Sequence, residues 1–260
     1  MKRTFVIGDL HGCYREAMDL LERVGATSED RIIFCGDLID RGPENAKCVD
    51  LAMKHECILG NHEEKHLFYR AQEERGKNPN VVAPTHVATR LELKDEHYEY
   101  FKQLPLFIRL PEFNAVVVHA GVWPNVPIEH QDSHHLLHCQ MINPHYDRDG
   151  RITKRSMWPS KAPADWKFWT HFWTGPEVII FGHSVLDRPL LTEKAIGIDG
   201  GAVFGRELWA LELSADPERS GGVHRVKSQT NADKGRRGRN DATGNPIGFY
   251  KIHGDVGTFS

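Results

Sequence analysis

Three observations predict that this 260-residue chain folds as an α/β protein with at least one mixed sheet. Within residues 1–75, a short β-rich run, a polar loop and a helix-period segment follow one another three times. Beyond residue 178, β-rich runs recur without long helices between them, so some of their neighbours must be antiparallel. Five of the apolar runs lead into or are interrupted by small clusters of Asp, Asn, His and Gly. Layered α/β folds gather such clusters outside the carboxyl ends of their strands.

Taken in order, Thr4-Phe5-Val6-Ile7 is the first strand, and Gly8 ends it so that Asp9 and His11 emerge from its carboxyl end. Residues 14–24 carry Ala17, Met18, Leu20, Leu21 and Val24 at helical spacing, and Gly25 stops the pattern. The second cycle is the strand 31–35, the loop Gly36-Asp37-Leu38-Ile39-Asp40-Arg41-Gly42 and a helix whose first turn would hold Pro43. Residues 57–59 form the third strand, 60–63 its loop and 64–75 its helix. Helices are expected near 86–93 and 96–103, then strands at 107–110, 115–118, 178–181, 195–198 and 208–213. His119 follows the second of these strands and His183 the third.

The core thus spans residues 1–213, with a Trp-rich insertion at 122–177 that would lie over the site. From 214 to 260 the composition turns to Gly, Ser, Asn, Asp, Lys and Arg, the signature of a poorly ordered tail. Within it, Gly248-Phe249-Tyr250-Lys251-Ile252 is the segment able to dock as an edge strand.

A net charge of -3 gives no general pull towards nucleic acid or anionic membrane. Cys13, Cys35, Cys48, Cys57 and Cys139 are odd in number and form no CxxC pair, which argues against a disulfide framework and for a reducing compartment. No apolar run approaches the roughly 20 residues that span a bilayer, and the first residues lack the order of a signal peptide. A cytoplasmic protein is expected.

The clusters carry donors for two divalent cations. Asp9, His11 and Asp37 would hold one; Asp37, Asn61, His119 and His183 would hold the other, with Asp37 as the bridge. Carboxylate, amide and imidazole donors suit manganese first, with iron, zinc or nickel as alternatives, and disfavour calcium. Water activated between such cations is a nucleophile for phosphorus near neutral pH. His62 is placed to protonate the leaving oxygen, and Asp40 to orient its imidazole. Arg41 presents a fork for two phosphate oxygens, with Asn61 beside it as a second substrate contact.

In this order, GDLHG, GDLIDRG, GNHE, HAG and GH resemble the calcineurin-like metallophosphoesterase superfamily over residues 4–213. The DRG and GNHE forms resemble its phosphoprotein phosphatase family, which includes bacterial serine/threonine phosphatases and diadenosine tetraphosphate hydrolases. The resemblance implies a four-layer sandwich of two mixed β-sheets flanked by helices. Leu59 before GNHE, and His119-Ala120-Gly121 in place of HGG, set the chain on the bacterial or phage side.

The first functional expectation is a binuclear, metal-dependent phosphomonoesterase of the serine/threonine phosphatase type, acting on a phosphoprotein or small phosphate ester. The alternative keeps the site and changes the substrate to a dinucleoside polyphosphate or phosphodiester, with Trp169 or Trp173 holding a base. Arg148, Arg151, Lys154 and Arg155 would then meet the phosphates, and Arg90, Arg188 and Arg206 could add to the clamp. A third expectation, from another class, is a metal-binding scaffold without turnover; it predicts a missing acid or fork, whereas His62 and Arg41 are present. His134, His135, His138 and His145 read as an exposed His-rich loop rather than a further metal site.

Overall fold

The computed structural model describes residues 3–143, 156–214 and 221–232. Strands β1 (Thr4–Ile7), β2 (Arg31–Phe34) and β3 (Glu56–Cys57) run parallel to one another. Helix α1 (Tyr14–Arg23) separates the first two, and α2 (Asn45–Ala52) the last two. The next helices are α3 (Asn61–Glu74), α4 (Pro84–Glu92) and α5 (Asp95–Gln103). Strands β4 (Phe107–Leu110) and β5 (Ala115–Val118) form an antiparallel pair. The insertion holds helix α6 (Ser133–His138) and a small sheet of β6 (Met141–Ile142), β7 (Ser156–Met157) and β8 (Lys167–Phe168). Then come β9 (Val178–Phe181), β10 (Leu190–Leu191), β11 (Ala195–Gly197), β12 (Glu207–Leu213) and β13 (Gly222–Lys227).

Two five-stranded sheets result, ordered β13-β12-β1-β2-β3 and β10-β11-β9-β5-β4. Both are mixed. β12 and β13 are antiparallel additions to the parallel trio of the first sheet, while β10 and β4 flank the parallel trio β11-β9-β5 of the second. Strand alternation sorts side chains into layers. Val6, Ile33, Val117, Ile180 and Trp209 meet between the two sheets. Ile7, Phe34 and Ala210 face the helical layer of α1, α2 and α5, whereas Val116, Val118, Ile179 and Phe181 face Trp123, Trp169 and Trp173 of the insertion.

Three expectations are corrected. The core does not end at Leu213: β13 pairs with β12 from Glu207↔Lys227 to Glu212↔Gly222, and Val226 is buried in the helical-side core. The buried carboxylate of Glu16 secures residues 228–230 just past β13, accepting from Ser228 Oγ (2.7 Å) and from the Gln229 and Thr230 amides (3.1 and 2.9 Å). Three backbone and hydroxyl donors on one carboxylate are enough to order a segment whose composition reads as tail. The helix after the second strand begins at Asn45, past Pro43, because Glu92 reaches over from α4 to accept from the Asn45 and Ala46 amides. The third helix begins at Asn61, so the expected loop 60–63 is its first turn with Gly60 as N-cap.

The tail from 233 and its 248–252 segment lie outside the described residues, as do Arg148, Arg151, Lys154, Arg155 and His145. All five cysteines are buried and unpaired. Among the described residues, no helix is long and apolar enough to cross a membrane.

Candidate metal centre and active site

Six strands of the two sheets end at one rim. Asp9 and His11 follow β1; Asp37, Asp40 and Arg41 follow β2; Asn61 and His62 follow β3; His119 follows β5 and His183 follows β9. The sixth is β11, and the buried Asp199 two residues beyond its end was not foreseen. Its signal was available: like the other runs, 195–198 leads into a polar residue and glycines, Asp199-Gly200-Gly201.

Asp37 is the hub. Its Oδ2 lies 3.4 Å from His11 Nε2 and 3.9 Å from His62 Nε2, while its Oδ1 lies 3.4 Å from His119 Nε2. The two oxygens therefore face different imidazoles, the arrangement a bridging carboxylate needs. His11 Nδ1 donates to the Ile39 carbonyl (2.8 Å) and His119 Nδ1 to that of Cys35 (2.7 Å), leaving the Nε2 lone pairs aimed inward. His119 Nε2 then meets Asn61 Oδ1 at 2.9 Å, two acceptors with no proton between them, and His183 Nε2 is buried without a hydrogen-bond partner. Acceptors converging in this way fit divalent cations. Asp37, His119 and His183 offer donor atoms within 4.8 Å of one another, as do His11, Asp37 and His62. Asp9 stands behind, its carboxylate accepting from the His183 amide at 3.0 and 3.1 Å.

The backbone is bent to deliver these groups. His11, Asp37, Asp40, Arg41 and His183 all have positive φ, between 46° and 72°, a conformation that non-glycine residues hold only when their surroundings enforce it. Gly60 permits a close approach: a Cβ there would lie 2.2 Å from the Asp37 amide nitrogen and 2.4 Å from its Oδ1. Glu63, also unforeseen, sits fully buried under the loop and accepts from the Asp37, Leu38 and Gly60 amides at 2.9, 2.9 and 3.1 Å.

Charge follows burial. Burial raises Asp9 well above the usual carboxylate range, with Asp199 and Asp37 adding to it, and lifts Asp199 to about 6. Burial would raise Asp37 too, but the surrounding imidazoles, His119 first, hold it well below that range. Burial lowers His11, His119 and His183, keeping them neutral as cation ligands require.

Asp40 Oδ2 accepts from His62 Nδ1 at 2.5 Å, the contact that its expected orienting role requires. Arg41 departs from expectation. Its guanidinium donates to His62 Nε2 at 3.0 Å and also contacts His11 Nε2, so in this structure the fork holds two imidazoles. The cavity in front has a volume of about 500 Å³ and is lined by Asp37, Arg41, Asn61, His62, His183, Lys65, Lys161, Trp158 and Phe204, among others.

Trp169 and Trp173 are not at this cavity; they are buried against the second sheet, and the tryptophan that lines it is Trp158, 49% exposed. Neither Arg90, Arg188 nor Arg206 lines it, and Arg90 and Arg206 are engaged by Glu73 and Asp187. The expected His-rich loop is the capped helix α6, where Asp132 accepts from the His134 amide, His135 stacks on Trp123 and His138 reaches Glu64 at 3.1 Å.

The profile of the calcineurin-like phosphoesterase family matches residues 2–195. A bis(5'-nucleosyl)-tetraphosphatase PrpE [asymmetrical] of Halalkalibacterium halodurans is 28% identical over 230 residues, covering 80% of this chain and 89% of the relative. A symmetrical bis(5'-nucleosyl)-tetraphosphatase of Actinobacillus succinogenes is 33% identical over 127 residues, 47% of this chain and 45% of the relative. A crystal structure whose assignment as a diadenosine tetraphosphatase is itself provisional superposes with a TM-score of 0.68 at 27% identity, covering 87% of this chain and 93% of that one.

Proposed function

The chain belongs to the calcineurin-like phosphoesterase family, metal-dependent hydrolases of phosphate ester or anhydride bonds, and we propose that its substrate is a dinucleoside polyphosphate. This takes up the alternative reached from the sequence in preference to the phosphomonoesterase, because the relative matched over most of its length is a tetraphosphatase. The observation that carries it is the cavity, whose lining adds Lys65, Lys161, Trp158 and Phe204 to the hydrolytic groups Asp37, Arg41, Asn61, His62 and His183. A phosphomonoester needs no such additions; a chain of phosphates ending in a base needs both cations and an aromatic face.

Asp9, His11, Asp37, Asn61, His119 and His183 are the proposed ligands of two divalent cations, manganese first. Such cations, when bound, polarise phosphoryl oxygens and lower the pKa of water. The protein's own groups do the rest. Arg41 turns its fork from the imidazoles to the phosphate, which frees His62 Nε2 to face the leaving oxygen. Once freed, Nε2 takes up a proton from solvent; as a water oxygen bonds to phosphorus and the bridging P–O bond breaks, that proton passes to the departing nucleotide and the water's own proton is released to solvent. Asp40 keeps Nδ1 protonated throughout.

The test is product analysis after incubating the manganese-loaded protein with diadenosine tetraphosphate, p-nitrophenyl phosphate and a phosphoserine peptide. Conversion of the dinucleotide to mononucleotides at the highest kcat/KM is expected, and Trp158→Ala should raise KM for it several-fold while leaving that for the aryl ester in place. Preference for either monoester over the dinucleotide overturns the proposal and restores the phosphatase reading.

A further inference from the structure

Asp40 lies on a loop with φ of 71°, so no regular element fixes its side chain, yet it is fully buried. Three imidazoles surround it. Its Oδ2 is shared by His62 Nδ1 at 2.5 Å and His86 Nε2 at 3.2 Å, and its Oδ1 faces His66 Nε2 at 2.9 Å. An ionised carboxylate only accepts, so each facing nitrogen carries a proton, and the tautomers are set. His86 Nδ1 is then an acceptor, which the Tyr69 hydroxyl satisfies at 3.1 Å; His66 Nδ1 is an acceptor buried without a partner. His66 stands one helical turn beyond His62 on α3, while His86 crosses from α4 and lines the substrate cavity.

We propose that His66 and His86 are positioning residues that hold the Asp40 carboxylate in the one orientation that aligns His62 for proton transfer. With one donor, Asp40 would rotate about its side-chain torsions; with both oxygens tied to separate helices, Oδ2 stays on His62 Nδ1. Misplacement by an ångström costs far more than the weak hydrogen bonds involved would suggest. Asp40, His66 and His86 also lie within the 4.8 Å that a cation could bridge. Such a cation would draw Asp40 from His62, and metal analysis of the variants separates the two roles.

This inference rests on the reading of His62 as the acid, so the experiment tests both. The readout is the dependence of kcat on leaving group, measured with aryl esters of adenosine diphosphate from dinitrophenyl to phenyl. A poor leaving group needs the acid and a good one does not. His62→Gln and Asp40→Asn are the references. His66→Leu and His86→Leu should slow the phenyl ester by about tenfold or more, short of the roughly 10²–10⁴-fold that a general acid itself contributes, and the dinitrophenyl ester by less than about threefold. His66→Gln and His86→Gln, which return an N–H, should recover most of the loss, and Tyr69→Phe should give a milder version. His86→Leu added to Asp40→Asn should have no further effect.

Uniform slowing of every ester, or slowing that tracks lost bound metal or a lowered melting temperature, overturns the positioning role. If His62→Gln itself leaves the leaving-group dependence unchanged, the acid reading falls instead. Absence of wild-type turnover on the whole series sinks the nucleotide hydrolase.

Discussion

At the scale of single residues, the site depends on groups that touch no substrate. Glu63 illustrates this: its two oxygens take three backbone N–H groups from the Asp37 loop and from Gly60. Burial, and then the neighbouring Asp37, raise its carboxyl above the usual range, while the backbone N–H groups oppose them by favouring the ionised form that accepts from all three. Glu63→Gln replaces one accepting oxygen with an amide that faces an N–H donor. A buried unsatisfied donor costs about 1–3 kcal/mol. The expected outcome is a melting temperature several degrees lower and weaker metal retention, read by scanning calorimetry and metal analysis beside the exposed Glu99→Gln as control. Equal melting temperatures for the two variants would remove Glu63 from this role. The motif around Asn61 and His62 was legible because their chemistry is local; the role of Glu63 was not, since its partners stand 25 and 26 residues away.

At the scale of elements, most strands and helices followed from periodicity, and their ends did not. The start of α2 is set by Glu92 of another helix, and the start of α3 by Gly60, which admits the Asp37 loop and so must already be at the N-cap. Neither contact has a period. The junction of β1 with the end of α1 is a third case. Arg3 donates to both oxygens of Asp30 (2.9 and 2.5 Å) and to the Val24 and Gly25 carbonyls (3.0 and 2.8 Å), which fastens helix, turn and strand together. The Arg3 hydrogen bonds hold Asp30 well below the usual carboxylate range, against a smaller opposing effect of burial. A carboxylate whose folded pKa is depressed stabilises fully above its unfolded value, about 4, and loses that contribution as pH falls through 4 towards the folded pKa. Asp30→Asn should therefore lower the urea midpoint at pH 7, with the gap to wild type closing as pH drops from 5 to 3. A gap independent of pH would mean that the carboxylate charge is not what holds the junction.

For the whole molecule, the order of motifs along the chain already implied a rim shared by two sheets, and six strand ends meet there. What composition concealed was the last strand among the described residues. Residues 222–227 alternate only weakly, because β13 is an edge with one half-exposed face, and such strands carry little hydrophobic signal. Their pairing nevertheless has consequences at the site. Beyond β13 the Ala232 amide donates to the Val203 carbonyl (2.7 Å), and Asn231 bridges to Phe204, which lines the cavity in front of Asp37. A chain ending at Leu213 would leave β12 as an open edge, uncover part of the core around Val226, and strand the buried carboxylate of Glu16 without its three donors. A chain ending at Ala232 keeps every one of these contacts. The shorter chain should therefore aggregate or melt far below the longer one, and any soluble fraction should show weakened nucleotide binding through the loosened Phe204 loop. Equal stability and equal KM for the two truncations would show that the catalytic domain closes at Leu213 after all.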